Sequence, residues 1–105
     1  MREVVILGVG MTPFGRFLDR SLEDLGREAV WNAIEHAGIP PRAIQVAHVA
    51  NSFAGSIAGQ ESVQGEVILQ AGGFYGIPIV NVENACAGGT TAVRGVWLEI
   101  ASGLY

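Results

Sequence analysis

Apolar positions along the chain follow two periods, and the changes between them mark the elements. Val4-Val5-Ile6-Leu7 is an unbroken, largely β-branched run reaching toward Val9 and punctuated by Gly8 and Gly10. A run of that kind predicts a first strand covered on both faces. Thr12-Pro13 and Gly15 interrupt the chain, and helical spacing begins after Ser21. Leu22, Leu25, Ala29, Ala33 and Ala37 recur on one face, flanked by Val30 and Ile34. Ser21 and Asp24 have capping-box spacing, while Gly38 and Pro40-Pro41 supply the stop. Val46 to Ala50 predicts a second strand, and the small, polar stretch Asn51 to Gly59 reads as a loop. Gln60 to Ala71 predicts a second helix, with Val63, Val67 and Ile68 on one side and Gly72-Gly73 as its end. Gly65 inside it costs about 1 kcal/mol relative to Ala, which predicts a close packing partner. Ile77 to Val82 reads as a third strand, and Cys86 to Ser102 as a third helix. The order β-α-β-α-β-α at this spacing predicts an α/β fold with parallel crossovers. The third helix is apolar nearly all round, only Arg94 and Glu99 being charged, so it is expected to be buried.

Composition raises a difficulty with that burial. Charged residues make up 15% of the chain and apolar residues 50%, where an ordinary domain carries about 25% charge. The 105 residues suffice for one domain, but one sheet with its helices leaves little room to enclose a helix completely. Surface made for other protein is the expected result. Ten acidic against six basic residues give a net charge of −4, and all six basic residues are arginine. Without lysine there is no Schiff-base, pyridoxal-phosphate or Walker lysine. Without a basic cluster, nucleic-acid binding has no electrostatic footing. No apolar run approaches the ~20 residues of a membrane span, and the first residues lack the basic start and cleavage site of a signal peptide. The single cysteine forms no internal disulfide, so a cytoplasmic location is expected.

Several motifs fail on their surroundings. Gly8-x-Gly10 lacks the third glycine of a dinucleotide fingerprint, since Pro13 stands there. Gly10 and Gly15 have part of a Walker spacing, but Arg16-Phe17 follows instead of Lys-Ser/Thr. His36, His48 and Cys86 share no metal-ligand spacing, so no metal is expected. Trp31 and Trp97 read as core or interface aromatics, and Glu61 and Glu66 as a solvated face. The chemistry lies in Val80-Asn81-Val82-Glu83-Asn84-Ala85-Cys86-Ala87-Gly88-Gly89-Thr90-Thr91. This is a strand, a turn and a helix start with a cysteine at the junction. Helix-terminal N–H groups and the dipole favour a thiolate there and can hold a developing oxyanion. Gly88 and Gly89 open space for a substrate or for another backbone. The same residues also fit a buried structural cysteine beside a closely packed helix.

These residues resemble the thiolase superfamily, and the resemblance runs through the whole chain. Met11-Thr12-Pro13-Phe14-Gly15-Arg16-Phe17 is similar to the family's Thr-Pro-x-Gly-x-Phe loop. The methionine before the threonine is similar to the sterol-carrier-protein-type thiolases and related acetyl-CoA acetyltransferases. Gly59-Gln60, Ala71-Gly72, Ile77-Pro78 and Asn81-Val82 then recur in order, with Cys86 at the nucleophile position and Gly88-Gly89 as the small-residue run. Gly88 stands where many thiolases have serine, a position that varies in this branch.

The resemblance implies a layered α/β domain with a mixed, mostly parallel sheet, of which residues 1–105 form the incomplete N-terminal part. It implies acyl transfer through an acyl-cysteine thioester, by thiolysis or Claisen condensation. Cys86 is then the nucleophile, with its backbone N–H in the oxyanion hole, and Asn84, Gly88 and Gly89 lie near the substrate. Acyl-CoA and CoA are the implied substrates, with no bound cofactor. The family's histidine and second cysteine lie in a C-terminal half, so this chain alone is expected not to turn over. A homodimer or higher oligomer, with or without a further protein subunit, is the implied assembly. Two other readings stand beside this one. One is a non-catalytic assembly partner. The other is a cysteine hydrolase or amidotransferase, whose Gly-x-nucleophile-x-Gly elbow is half met because Asn84 replaces the first glycine.

Overall fold

The computed structural model describes residues 1–105. Helix α1, Leu22–Ala37, starts where its cap residues direct. Ser21 Oγ accepts the Asp24 N–H at 3.1 Å, and Asp24 Oδ2 accepts the Ser21 N–H at 3.1 Å. Gly38 ends the helix in the left-handed conformation at φ 68°, donating its N–H to the Ile34 and Glu35 carbonyls. The Ser21 backbone N–H, helped by the Ser21 hydroxyl and then by Arg27 and Arg20, holds the Asp24 carboxyl below its ordinary value. A depressed carboxyl stabilises the fold above its unfolded pKa of about 3.9 and loses that contribution as pH falls through the lower folded value. Acid titration followed by helical circular dichroism is therefore expected to show an α1 contribution that disappears below about pH 4. In Asp24→Asn, whose amide oxygen keeps the acceptor without titrating, that acid limb is expected to be absent.

Strands β1, Ala47–Ala50, and β2, Ile79–Val82, pair in parallel, with Ala47 opposite Ile79 and Ala50 opposite Val82. Helices α2, Ala54–Ala58, and α3, Gln64–Ala71, form the crossover between them. Helix α4, Gly88–Ala101, follows β2 after a 3₁₀ turn over Ala85–Ala87. Alternation along β1 sets the layers. Val49 faces α3, touching the bare Gly65 position, and Ala47 joins it against the core of Ile34, Leu69 and Phe74. His48 and Ala50 face α4, against Gly95 and Gly88. The sheet thus lies between α4 on one side and α1 with α3 on the other. Trp31 ties α1 to α3 by donating its indole N–H to the Gly72 carbonyl at 3.0 Å and stacking obliquely on Phe74, centroids 5.5 Å apart.

The close partner expected at Gly65 is present: a Cβ there would come within 2.8 Å of Ile79 Cγ2 and 2.9 Å of Asn81 Oδ1. Gly95 does the same on the other face, where a Cβ would meet the His48 ring at 2.6 Å. Behind that contact His48 Nε2 lies 2.9 Å from Glu99 Oε2, a largely buried polar tie from β1 to α4. Gly95→Ala is expected to destabilise the protein by about 1–3 kcal/mol, because the ring must leave both its seat and its carboxylate. Denaturant midpoints of the full-length polypeptide with and without the substitution measure it.

The α/β class with parallel pairing stands, while four element assignments are corrected. Residues 4–9 form no strand. The segment lies instead along α1, with Val9 N–H donating to His36 Nδ1 at 3.0 Å and Gly8 abutting the Ala33 carbonyl and Ala37 N. Arg2 N–H meets the Ala101 carbonyl at 3.0 Å. No neighbouring strand takes up its backbone groups, and Val5, Ile6, Leu7 and Val9 are exposed rather than covered. The second helix begins at Gln64, not Gln60, because Gly59 and Val63 both take positive φ, 79° and 49°. The loop expected over Asn51–Gly59 contains α2, capped by Asn51 Oδ1 accepting the Ala54 N–H at 2.8 Å. The third helix starts at Gly88 and is not enclosed, with Val93, Trp97 and Leu98 all exposed.

That openness is general. Nine of 105 residues are buried. The accessible surface is 7158 Å², against about 5,600 Å² for a monomer of this mass. No helix is long and apolar enough to cross a membrane.

Candidate functional site

The carboxyl ends of parallel strands leave a crevice between the loops that follow them, and in open α/β sheets ligands collect there. Here the crevice is a cleft of about 170 Å³ lined by Asn51 and Ser52 after β1, Gln64 at the start of α3, and Asn81 and Glu83 at the end of β2. Asn81 closes one side: its Oδ1 accepts the Gly65 N–H at 2.7 Å and its Nδ2 donates to Glu66 Oε2 at 2.8 Å, so it caps α3 from the neighbouring strand.

Cys86 stands just beyond this cleft, in the 3₁₀ turn between β2 and α4, and its side chain is exposed. Within residues 1–105 the cysteine fills no part of the core. The turn is sharp because Ala85 takes φ 46°, a left-handed conformation costing an L-residue other than glycine roughly 1–2 kcal/mol. Three contacts hold it. Glu83 Oε2 accepts the Ala85 N–H at 2.5 Å, Ser52 Oγ donates to the Ala85 carbonyl at 3.1 Å, and the Gly88 N–H donates to the same carbonyl. Asn84 Nδ2 donates to Thr91 Oγ1 at 2.9 Å, which donates in turn to the Ala87 carbonyl at 2.9 Å, bracing the turn against the first turn of α4.

The two glycines after Cys86 have different surroundings. A Cβ at Gly88 would meet Ala50 Cβ at 3.3 Å, so its bareness lets α4 seat against β1, whereas Gly89 faces open space. The structure thus gathers Asn84, Cys86, Gly88 and Gly89 at one elbow. It does not bring a histidine there: His36 accepts the Val9 N–H and His48 pairs with Glu99. No group of three His, Cys, Asp or Glu side chains is placed to hold a metal ion. Sequence reasoning missed Ser52, Glu83 and Thr91. The sequence marks Ser52 only as a polar residue two positions past a strand end, which does not name its partner.

Residues 4–105 match the family described as "Thiolase, N-terminal domain". Among curated proteins, the chain is 42% identical over 103 residues to an acetyl-CoA acetyltransferase of Methanocaldococcus jannaschii, covering 98% of this chain and 26% of that protein. It is 40% identical over 94 residues to sterol carrier protein 2 of Gallus gallus, covering 88% of this chain and 16% of that one. It is 37% identical over 105 residues to the benzoylsuccinyl-CoA thiolase subunit BbsB of Thauera aromatica, covering 98% and 26%. The chain thus spans between 16% and 26% of the length of these relatives.

Proposed function

The chain belongs to the thiolase family, in its N-terminal domain, and from that premise we propose that it carries the nucleophile half of an acyl-CoA acyltransferase. The observation that carries the reading is the placement of Cys86. It is exposed, on a turn joining the carboxyl end of a parallel strand to the N-terminus of the 14-residue α4, where the resemblance puts the family's nucleophile. The sulfur, as thiolate, adds to the carbonyl carbon of an acyl-CoA thioester, and the carbonyl π pair moves onto oxygen. Collapse of that adduct breaks the bond to CoA sulfur. CoA leaves as a thiolate and takes up a proton, while the acyl group stays on Cys86 Sγ. In the condensing direction the enolate of another acyl-CoA then takes the acyl group and returns the Cys86 thiolate. In the thiolytic direction the sulfur adds to the 3-keto carbonyl of a 3-ketoacyl-CoA, the C2–C3 bond breaks to release an acyl-CoA enolate that takes up a proton, and CoA takes the acyl group from Cys86.

The N–H groups of Ala85, Ala87 and Gly88 are engaged by Glu83, Asn84 and Ala85. In keeping with the resemblance, we assign the oxyanion to the N–H of Cys86 itself. Asn84 fixes the turn through Thr91, and the open side of Gly89 is where an acyl-CoA approaches. Coenzyme A thioesters enter as substrates, with no resident cofactor. The base and the second cysteine belong to polypeptide outside residues 1–105, so the chain alone does not turn over. Residues 1–105 then form an incomplete domain that works as a homodimer or larger assembly in the cytoplasm. The match to a protein named as a thiolase subunit makes a further subunit part of this reading.

A second reading, a non-catalytic assembly partner, is favoured by the exposed apolar side chains along residues 5–11 and α4. Acyl transfer from a CoA thioester in the full-length polypeptide, wild type beside Cys86→Ala, separates the two.

A further inference from the structure

Resting on the assignment of Cys86 as the acyl acceptor, we infer that Ser52 is a positioning residue for the nucleophile, acting through the left-handed backbone of Ala85. The parallel register puts it there. Ala50 lies opposite Val82, and the Asn51 N–H donates to the Val82 carbonyl at 3.1 Å, extending the ladder one step past the strands. The next residue, Ser52, then stands abreast of the elbow and gives its hydroxyl to the Ala85 carbonyl. The contact joins residues 33 apart in sequence and is the side-chain hydrogen bond from the β1 loop to this turn.

Its target explains why it matters. Ala85 precedes Cys86 directly, and its φ of 46° sets the direction in which the Cys86 peptide and sulfur leave the turn. Alanine relaxes from that conformation when nothing holds it. Glu83 holds the N–H of the same residue, but Glu83 lies on the same strand end and moves with the turn. Ser52 anchors the turn to the other strand. Losing the hydroxyl frees the carbonyl to swing, so the sulfur and the Cys86 N–H no longer converge on one carbonyl group. Acylation requires that convergence. Alkylation by a small reagent, which has no oxyanion to place, does not.

The experiment compares two reactions of Cys86 in the full-length polypeptide, read by mass spectrometry of the tryptic peptide between Arg42 and Arg94: acylation by acetyl-CoA and alkylation by iodoacetamide. In Ser52→Ala the acylation rate is expected to fall about tenfold, while alkylation stays within about twofold of wild type. Adding Ala85→Gly, which takes positive φ without strain, is expected to restore most of the lost acylation. Ala85→Val keeps Ser52 but drives the residue out of the left-handed region. It is expected to give the same selective loss and serves as the test if Ser52→Ala does not fold. Unchanged acylation in Ser52→Ala, an equal fall in both reactions, or no recovery with Ala85→Gly overturns the inference. A wild-type Cys86 that takes no acyl group overturns the functional reading instead.

Discussion

Cys86→Ala in the full-length polypeptide is expected to abolish the covalent acyl adduct and lower acyl transfer between CoA thioesters by roughly 10⁴-fold or more, the scale seen when a nucleophile is removed. The same substitution is expected to leave stability within about 0.5 kcal/mol, because within residues 1–105 the side chain is exposed and stands outside the apolar core. That combination discriminates between readings. A cysteine kept for packing gives the opposite pair, a large loss of stability and a small loss of rate. An assembly partner without chemistry shows neither. Acetoacetyl-CoA thiolysis measures the rate, and thermal unfolding measures stability. Equal thiolysis by the two proteins removes Cys86 from the mechanism and leaves the assembly role standing.

Local rules made α1 and its caps legible, since Ser21, Asp24 and Gly38 act within one turn of their own positions. The parallel pair β1 and β2 was legible for a similar reason: short, mainly apolar runs separated by helical spacing have few other arrangements. The elbow at Cys86 was legible as a strand-turn-helix junction with a cysteine in it. The residues that brace it were not. Ser52 reaches the elbow from a neighbouring strand end, a meeting that depends on the register of Ala50 with Val82, and Thr91 reaches it from the first turn of the helix beyond. Gly95 was equally silent, because its partner His48 lies across the sheet–helix interface. The first segment misled for a different reason. Val4-Val5-Ile6-Leu7 has the composition of a doubly covered strand, and periodicity reports what a segment needs covered without saying that the same chain supplies the cover.

The 105-residue chain by itself is expected to lack a cooperative unfolding transition, to bind hydrophobic dyes and to associate, whereas the full-length polypeptide melts sharply. Its surface of 7158 Å² exceeds that of a self-contained monomer by about 1,500 Å². If about half of that excess is apolar, the transfer free energy left ungained is on the order of 20 kcal/mol, more than the 5–15 kcal/mol that a whole domain retains as net stability. The excess is concentrated rather than scattered. Ile6 and Leu7 on the N-terminal segment, and Val93, Trp97 and Leu98 on α4, are all exposed. Val5 and Ile6 share with Val93 and Trp97 the walls of one apolar groove of about 400 Å³. Scattered apolar side chains are ordinary on a protein surface, but a continuous groove flanked by an unpaired apolar segment asks for a partner. The low charge of the sequence is the same fact seen in composition, because these positions carry no ion to keep them in water. Calorimetry and sedimentation of the two proteins decide the matter. A monomeric 105-residue chain with a sharp two-state transition and no dye binding places the missing cover inside the chain and removes the case for an incomplete domain.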